Sequence, residues 1–196
     1  MLDLAELRRR LAARGPLEFT VYGDDGAGRH GTTLAAVLIP IVAHPEGLTV
    51  LFTQRTQHLK SHSGQVSFPG GRAEPGDASA EFTALREAQE EIGLAPDRVE
   101  ILGRLPDYHT RTGFRVAPVI GLVAPPLALA PDPREVESVF EVPLAFLLDA
   151  ANRERRTREF QGTTVGFFVY EYQGRMIWGA TAGMLVALRR VVAPEI

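Results

Sequence analysis

The sequence predicts a single domain of the α/β class. Its 196 residues fall within the usual size of one domain, about 100–200 residues. Short runs rich in β-branched residues, typical of strands, recur between turns that contain glycine or proline. Segments rich in Ala, Glu, Leu and Gln, typical of helices, lie between these runs and after them. No repeat, low-complexity segment or linker indicates a second domain.

The first elements are a helix and a β-hairpin. Alternating charges and leucines over about residues 2–14 predict an amphipathic N-terminal helix. Two apolar runs follow, at 33–42 and 48–53, and the turn-prone residues 44–47 separate them. We interpret this pair as a hairpin.

A long loop and a helix come next. Residues 54–77 are polar and contain several glycines, so the sequence predicts an irregular segment. A loop of this length in a compact domain is usually functional or disordered, and its apolar residues favour function. Residues 79–92 predict a helix, with Ser79 as the N-cap and Gly93 as the stop signal.

The rest of the chain mixes strands and helices. Strands are expected at 99–105 and 115–123, although Pro118 argues against regular pairing at the centre of the second. The segment 107–113 joins them. Its polar residues 107–111 could stack on a base or position a substrate, but a plain solvent loop is favoured for most of them. The remaining predictions are strands at 136–142, 166–172 and 175–178 and helices at 143–148 and 181–191.

Composition excludes several classes of protein. No run is long and apolar enough to cross a bilayer, and no signal-peptide core follows the first arginines. The net charge of −3 gives no basic field for a nucleic-acid polymer, so a small-molecule substrate is favoured. With no cysteine, the chain has no thiolate nucleophile, and a metal would need oxygen or imidazole ligands. We expect a cytoplasmic protein; a homodimer is compatible with the sequence.

The helix at 79–92 carries three glutamates in one angular sector. Glu87, Glu90 and Glu91 project together, whereas its apolar residues gather on another face. Like charges at this spacing repel by roughly a few tenths of a kcal/mol per pair. A divalent cation would offset the repulsion, and Mg²⁺ or Mn²⁺ prefers such hard oxygen ligands. A solvated acidic face is the alternative that spacing alone does not exclude.

The segment around this helix resembles the Nudix box, G-x5-E-x7-R-E-U-x-E-E-x-G-U, where U is aliphatic. Its second half, Arg86-Glu-Ala-Gln-Glu-Glu-Ile-Gly-Leu94, fits this pattern closely. In the first half, Asp77 replaces the glutamate, and eight residues instead of seven precede Arg86. The box therefore covers about residues 71–94 with one extra loop residue.

This longer spacing is similar to the coenzyme A pyrophosphatase branch of the Nudix hydrolases. A second resemblance to that branch lies just upstream, in the stretch Leu51-Phe-Thr-Gln-Arg-Thr-Gln-His-Leu-Lys-Ser-His-Ser-Gly-Gln-Val-Ser-Phe-Pro-Gly-Gly71. The resemblance implies a Nudix-type α/β/α sandwich with a mixed central sheet. It also implies hydrolysis of coenzyme A or a derivative to 4′-phosphopantetheine and adenosine 3′,5′-bisphosphate.

By position in the box, the resemblance implies the roles of its residues. Glu87, Glu90 and Glu91 would hold Mg²⁺ or Mn²⁺, and Arg86 would orient the glutamates. The backbone carbonyl of Gly70 or Gly71 would complete the metal site, and we assign it to Gly71. Asp77 is interpreted as a residue that shapes the loop.

Substrate phosphate needs cations and hydrogen-bond donors, which are concentrated just before the glycines. We expect contacts from Arg55, Lys60, His62 and Gln65. A glutamate outside the box could add a ligand or act as the general base, and the sequence leaves three candidates: Glu135, Glu137 and Glu141.

Two other functions remain open at this point. One is a Nudix pyrophosphatase that cleaves another nucleoside diphosphate derivative. The other is a Nudix-like module that binds a ligand without catalysis, although such modules often have broken boxes, and the glutamates here are complete.

Overall fold

The computed structural model describes residues 2–13, 21–22, 32–58, 63–160 and 162–193; residues 21, 22, 160 and 163 are described by their backbone alone. The helices in these ranges are α1 Leu4–Ala12, α2 Ala80–Ile92, α3 Leu144–Leu148 and α4 Gly179–Val192. The strands are β1 Val21–Tyr22, β2 Thr33–His44, β3 Gly47–Arg55, β4 Val66–Ser67, β5 Gly70–Arg72, β6 Val99–Arg104, β7 Tyr108–His109, β8 Phe114–Val123, β9 Val136–Pro143, β10 Arg153–Phe160, β11 Thr163–Tyr172 and β12 Arg175–Trp178.

The first nine strands form one mixed sheet. At its centre, β2 and β8 run parallel from the pair Thr33–Phe114 to the pair Val42–Val123. Most other pairs are antiparallel, including the β2–β3 hairpin, β3 with β9, and both β6 and β7 with β8. The short β5 pairs antiparallel with the first part of β2. The predicted mixed sheet is confirmed.

Helices cover both faces of this sheet. Alternate residues of β2 and β8 point to opposite faces, so each strand contributes to two apolar cores. On one face, Leu38 and Val119 pack against α2 through Ala84, Ala88 and Ile92. On the other face, Ile39 and Ile120 share a core with residues of the other three helices. This arrangement is the predicted α/β/α sandwich.

A separate three-stranded sheet, β10–β11–β12, packs against α4. Tyr170 and Ile177 from this sheet are fully buried in the core beneath α4. The sequence prediction missed β10, because its sequence RERRTREF has no apolar alternation. As an edge strand it needs few apolar side chains, and its charges protect the edge from further pairing.

Three other predictions differ from the structure. The segment 54–77 is not wholly irregular, because it contains β4 and β5. The segment 107–113 is not mainly a solvent loop, because Tyr108 and His109 form β7 and are buried. Pro118 does not interrupt β8: its carbonyl accepts a hydrogen bond from the Leu105 N–H, so its missing N–H faces the gap between β6 and β7.

The predicted hairpin, the glutamate-bearing helix and the C-terminal helix are confirmed within a few residues. The N-terminal helix is shorter than expected, at Leu4–Ala12. In the described part of the chain, no helix combines the length and apolar character that a bilayer crossing requires.

Candidate active site

Helix α2 presents its glutamates to the glycine-bearing strand β5. Ser79 caps the helix, because its Oγ accepts a hydrogen bond from the Phe82 N–H at 3.1 Å. Gly93 ends it in the left-handed conformation, with φ of 69°. With Ala84 and Ala88 buried on the sheet, the rotation of the helix is fixed.

Two glycines allow the carboxylates to approach the sheet. The Gly70 N–H donates a hydrogen bond to Oε2 of Glu91 at 3.1 Å. At Gly71, a Cβ atom would lie only 2.6 Å from Oε2 of Glu87. The Glu87 carboxylate therefore occupies space that any other residue type at position 71 would fill.

Glu91 is a buried carboxyl group. Its side chain is 7% exposed, and burial raises its pKa to about 7. The Gly70 N–H and the Arg55 guanidinium, 3.6 Å away, lower this pKa. The negative charges of Glu135 and Glu87 raise it further. The hydrogen bond and the arginine therefore do not fully offset the cost of burying the charged form of Glu91.

The other two glutamates differ from Glu91 in exposure. Burial raises the pKa of Glu87, and the charges of Glu90 and Glu135 add to that effect. Glu90 is 60% exposed and lies beside the sector that faces β5. Glu87 lies beside Gly71, and Glu91 accepts the hydrogen bond from Gly70, so these two glutamates contact the glycine strand.

Arg86 connects the glutamates to the preceding loop. Its guanidinium lies 3.0 Å from carboxylate oxygens of both Glu87 and Glu90. It also donates hydrogen bonds to both oxygens of Asp77, each at 3.2 Å. The hydrogen bonds to Asp77, followed by the charge of Glu87, raise the pKa of Arg86, and the same hydrogen bonds help to lower the pKa of Asp77 to about 2.

Asp77 shapes the loop, as the sequence predicted. Its Oδ2 accepts hydrogen bonds from the Glu74 N–H at 2.9 Å and from the Thr83 hydroxyl at 2.8 Å. The loop and the first turns of α2 are therefore joined through one carboxylate.

Among the three glutamates outside the box, Glu135 is the one whose negative charge raises the pKa of both Glu87 and Glu91. Glu141 instead accepts hydrogen bonds from His44 and Thr49 near the turn of the β2–β3 hairpin. Sequence alone could not make this distinction, because all three lie in or near one strand.

The donor chemistry of this region fits a divalent cation. Within the described ranges, no three Asp, Glu or His side chains converge as a ready-made metal-binding group. However, Glu87 and Glu91 are desolvated carboxylates with raised pKa values, placed beside a third negative charge on Glu135. Hard oxygen donors of this kind suit Mg²⁺ or Mn²⁺.

A cavity of about 450 Å³ adjoins the two glycines. Its wall includes two residues predicted to bind substrate, Arg55 and Gln65. The other two, Lys60 and His62, lie outside the described residues. Among the described residues, the buried Arg55 Nε has no hydrogen-bond partner.

Several residues of this cavity were not among the predicted site residues. Trp178, at the end of the predicted strand 175–178, contacts Phe167 and also lines the cavity. Other lining residues come from distant parts of the chain: Arg72, Tyr108, Thr110, Arg111, Phe114 and Arg158. Of these residues, only Arg72 lies within the box at residues 71–94, and the fold brings the other segments next to it.

The fold and this site define a class, the hydrolases built on a Nudix domain. The NUDIX domain model matches residues 32–161, and the chain belongs to the Nudix family. Its members generally use divalent metal ions and act on small nucleotide derivatives.

Sequence identity to individual Nudix hydrolases supports this membership. The chain is 43% identical over 163 residues to the Nudix hydrolase NudL of Escherichia coli (strain K12), covering 82% of this chain and 84% of the relative. It is 41% identical over 158 residues to NudL of Photorhabdus laumondii, covering 81% and 84%.

Solved structures support the fold. A Nudix hydrolase from M. smegmatis, RenU, superposes with a TM-score of 0.56 at 22% identity, covering 91% of this chain and 97% of that one. At this identity the likeness bears on the fold and not on the substrate.

Proposed function

We propose that this Nudix hydrolase cleaves the diphosphate linkage of coenzyme A or a derivative. Water would add to one phosphorus and the bridging P–O bond would break. The products would be 4′-phosphopantetheine and adenosine 3′,5′-bisphosphate. The proposal rests on the resemblance of residues 51–94 to the coenzyme A branch.

One structural observation carries the proposal: the cavity begins at Gly70 and Gly71, beside the glutamates of α2. A substrate in this cavity can therefore place a diphosphate next to the carboxylates. The wall also supplies cations for phosphates and aromatic rings for an apolar or stacking group, including Arg55, Phe114 and Trp178.

We propose Glu87, Glu90, Glu91 and the carbonyl of Gly71 as the groups that hold Mg²⁺ or Mn²⁺. A bound ion would neutralise charge on the diphosphate and lower the pKa of an attacking water. Arg86 would keep the carboxylates in position through its contacts with Glu87 and Glu90. Glu90 would have to turn from its exposed position to take part.

Other residues have proposed roles in binding and proton transfer. Arg55 lines the cavity, and its guanidinium would contact a substrate phosphate. Gln65, together with Lys60 and His62, would contact the phosphates. Glu135 is the proposed proton acceptor, because its negative charge acts on both Glu87 and Glu91.

We further propose that residues 1–196 form a single Nudix hydrolase domain that works in the cytoplasm on a small molecule. Contacts of α1 with the rest of the domain support its inclusion. Leu7 is fully buried in the main core, and Arg10 donates a hydrogen bond to the Val192 carbonyl at 2.6 Å.

Mass spectrometry of a digest tests the proposed substrate. The protein would be incubated with coenzyme A and Mg²⁺ or Mn²⁺, beside a dinucleotide and a nucleotide sugar as competitors. We expect 4′-phosphopantetheine and adenosine 3′,5′-bisphosphate to appear in equal amounts. Intact coenzyme A beside a cleaved competitor would contradict the proposal and favour another Nudix pyrophosphatase. Binding of coenzyme A without any cleavage would indicate a ligand-binding module.

A further inference from the structure

Arg158 and Trp178 lie on one face of the β10–β11–β12 sheet. In the antiparallel register, Arg158 is opposite Val165 and Trp178 is opposite Val169. Because side chains alternate along a strand, Phe167 points to this same face. The guanidinium carbon of Arg158 lies 5.4 Å from the centre of the Trp178 ring and 5.7 Å from that of Phe167.

These aromatic contacts limit the freedom of the guanidinium. A guanidinium over aromatic rings is attracted electrostatically to their faces and stacks on them. Arg158 is exposed on an edge strand, where an arginine without such contacts would sample many rotamers. Its binding geometry is therefore partly established before a ligand arrives.

The same cavity is lined by Arg158 and by the glycines next to α2. Four arginines contribute to its wall, and none of its described lining residues is acidic. One of the four, Arg55, lies 3.6 Å from Glu91, and another, Arg72, lies 5.1 Å from the Phe114 ring centre. A metal-bound diphosphate beside the glycines would itself be largely neutralised, so a cation on a separate sheet suits a second anionic group.

We propose that Arg158, held by Trp178 and Phe167, binds a phosphomonoester on the nucleoside half of the substrate, separate from the diphosphate that is cleaved. This inference rests on the proposed hydrolysis of a nucleoside diphosphate derivative. Arginine suits this ligand, because its fork of N–H donors matches the geometry of phosphate oxygens. The residue would select substrates that are phosphorylated on the ribose over those that are not.

Binding measurements with two small nucleotides test the proposal. Calorimetry would compare adenosine 3′,5′-bisphosphate with adenosine 5′-monophosphate, using the wild type, Arg158→Ala and Arg158→Lys. A charge-assisted hydrogen bond predicts that Arg158→Ala weakens binding of the bisphosphate by about tenfold to a hundredfold. The monophosphate should bind the wild type and Arg158→Ala equally. Arg158→Lys should recover part of the lost affinity for the bisphosphate.

Arg156→Ala is the matched control. Arg156 lies on the same strand and face, but it does not line the cavity and is paired with Glu154 at 2.7 Å and Glu171 at 2.8 Å. Arg156→Ala should leave the affinities for both nucleotides within about twofold of the wild-type values, as expected for the loss of an exposed ion pair.

The proposal is overturned if the wild type binds the two nucleotides equally. It is also overturned if Arg158→Ala still binds the bisphosphate more tightly than the monophosphate to the same degree, or if it weakens the binding of both nucleotides alike. These measurements need no turnover, so they separate this inference from the proposed function. Failure to cleave coenzyme A would refute the proposed function even if the selective binding were observed.

Discussion

At the scale of the residue, the candidate site depends on an absent side chain at position 71. The Glu87 carboxylate occupies the space beside Gly71 where a Cβ would otherwise lie. Gly76 lies in the loop between β5 and α2, and nothing lies within 4 Å of a Cβ built there. These two glycines therefore offer a matched comparison.

Gly71→Ala should displace the Glu87 carboxylate and lower kcat/KM for coenzyme A by about a hundredfold, the effect that a 1 Å misplacement can have. Gly76→Ala should leave kcat/KM unchanged. Steady-state kinetics with Mg²⁺ measures both. Equal activity in the two variants would show that the position of Glu87 is not critical.

Asp77 predicts a specific dependence of stability on pH. Its pKa falls from 3.8 to about 2 in the folded protein, first because of the hydrogen bond from Arg86. A lowered acid pKa stabilises the fold above pH 3.8 and loses that effect as the pH falls towards 2.

Asp77→Asn should therefore lower the free energy of unfolding at pH 7, and its difference from the wild type should shrink between pH 4 and pH 2. Urea unfolding at pH 7 and at pH 2.5 measures this difference. A difference that is constant with pH would mean that the charge of Asp77 is not responsible.

Residue types and spacing predicted the three glutamates of α2 and their neighbour Arg86. They did not predict that Glu91 is buried while Glu90 is 60% exposed. That distinction depends on how the helix is rotated against β5, which the contacts of Ala84 and Ala88 with the sheet determine.

At the scale of the element, α2 was predictable because its start, its end and its apolar face all have local signals. Strand β10 was not, because its charged sequence lacks apolar alternation and its pairing depends on the distant strand β11. The same limitation applies to β7, whose buried Tyr108 and His109 lie within a polar segment.

Helix α1 provides a prediction about the extent of the domain. Leu7 is fully buried in the main core, so Leu7→Ala should lower the free energy of unfolding by about 2–5 kcal/mol. The exposed Leu34 is the control, since Leu34→Ala should change it by less than about 0.5 kcal/mol. Chemical denaturation measures both, and similar values would contradict the inclusion of α1 in the folded domain.

At the scale of the whole molecule, the cavity joins parts of the chain that are far apart in sequence. Arg55 comes from β3, Gly71 from β5, Phe114 from β8 and Trp178 from β12. The sequence predicted the part contained in one continuous motif, at residues 51–94. It could not predict the contributions of Arg158 and Trp178, because these depend on how the three-stranded sheet packs.

We propose above all that carboxylates of α2 hold the metal for cleavage of a diphosphate. Glu91→Gln tests it most directly, because glutamine keeps nearly the same shape and can still accept the Gly70 hydrogen bond. Glu81→Gln is the control, since Glu81 lies on the same helix and its nearest ion pair is with Arg104, at 3.8 Å.

The decisive measurement is the rate of Mg²⁺-dependent hydrolysis of coenzyme A by these two variants and the wild type. We predict that Glu91→Gln reduces kcat/KM by about a hundredfold or more, as loss of a group that stabilises transition-state charge does, while Glu81→Gln matches the wild type. Wild-type activity in Glu91→Gln would contradict the claim.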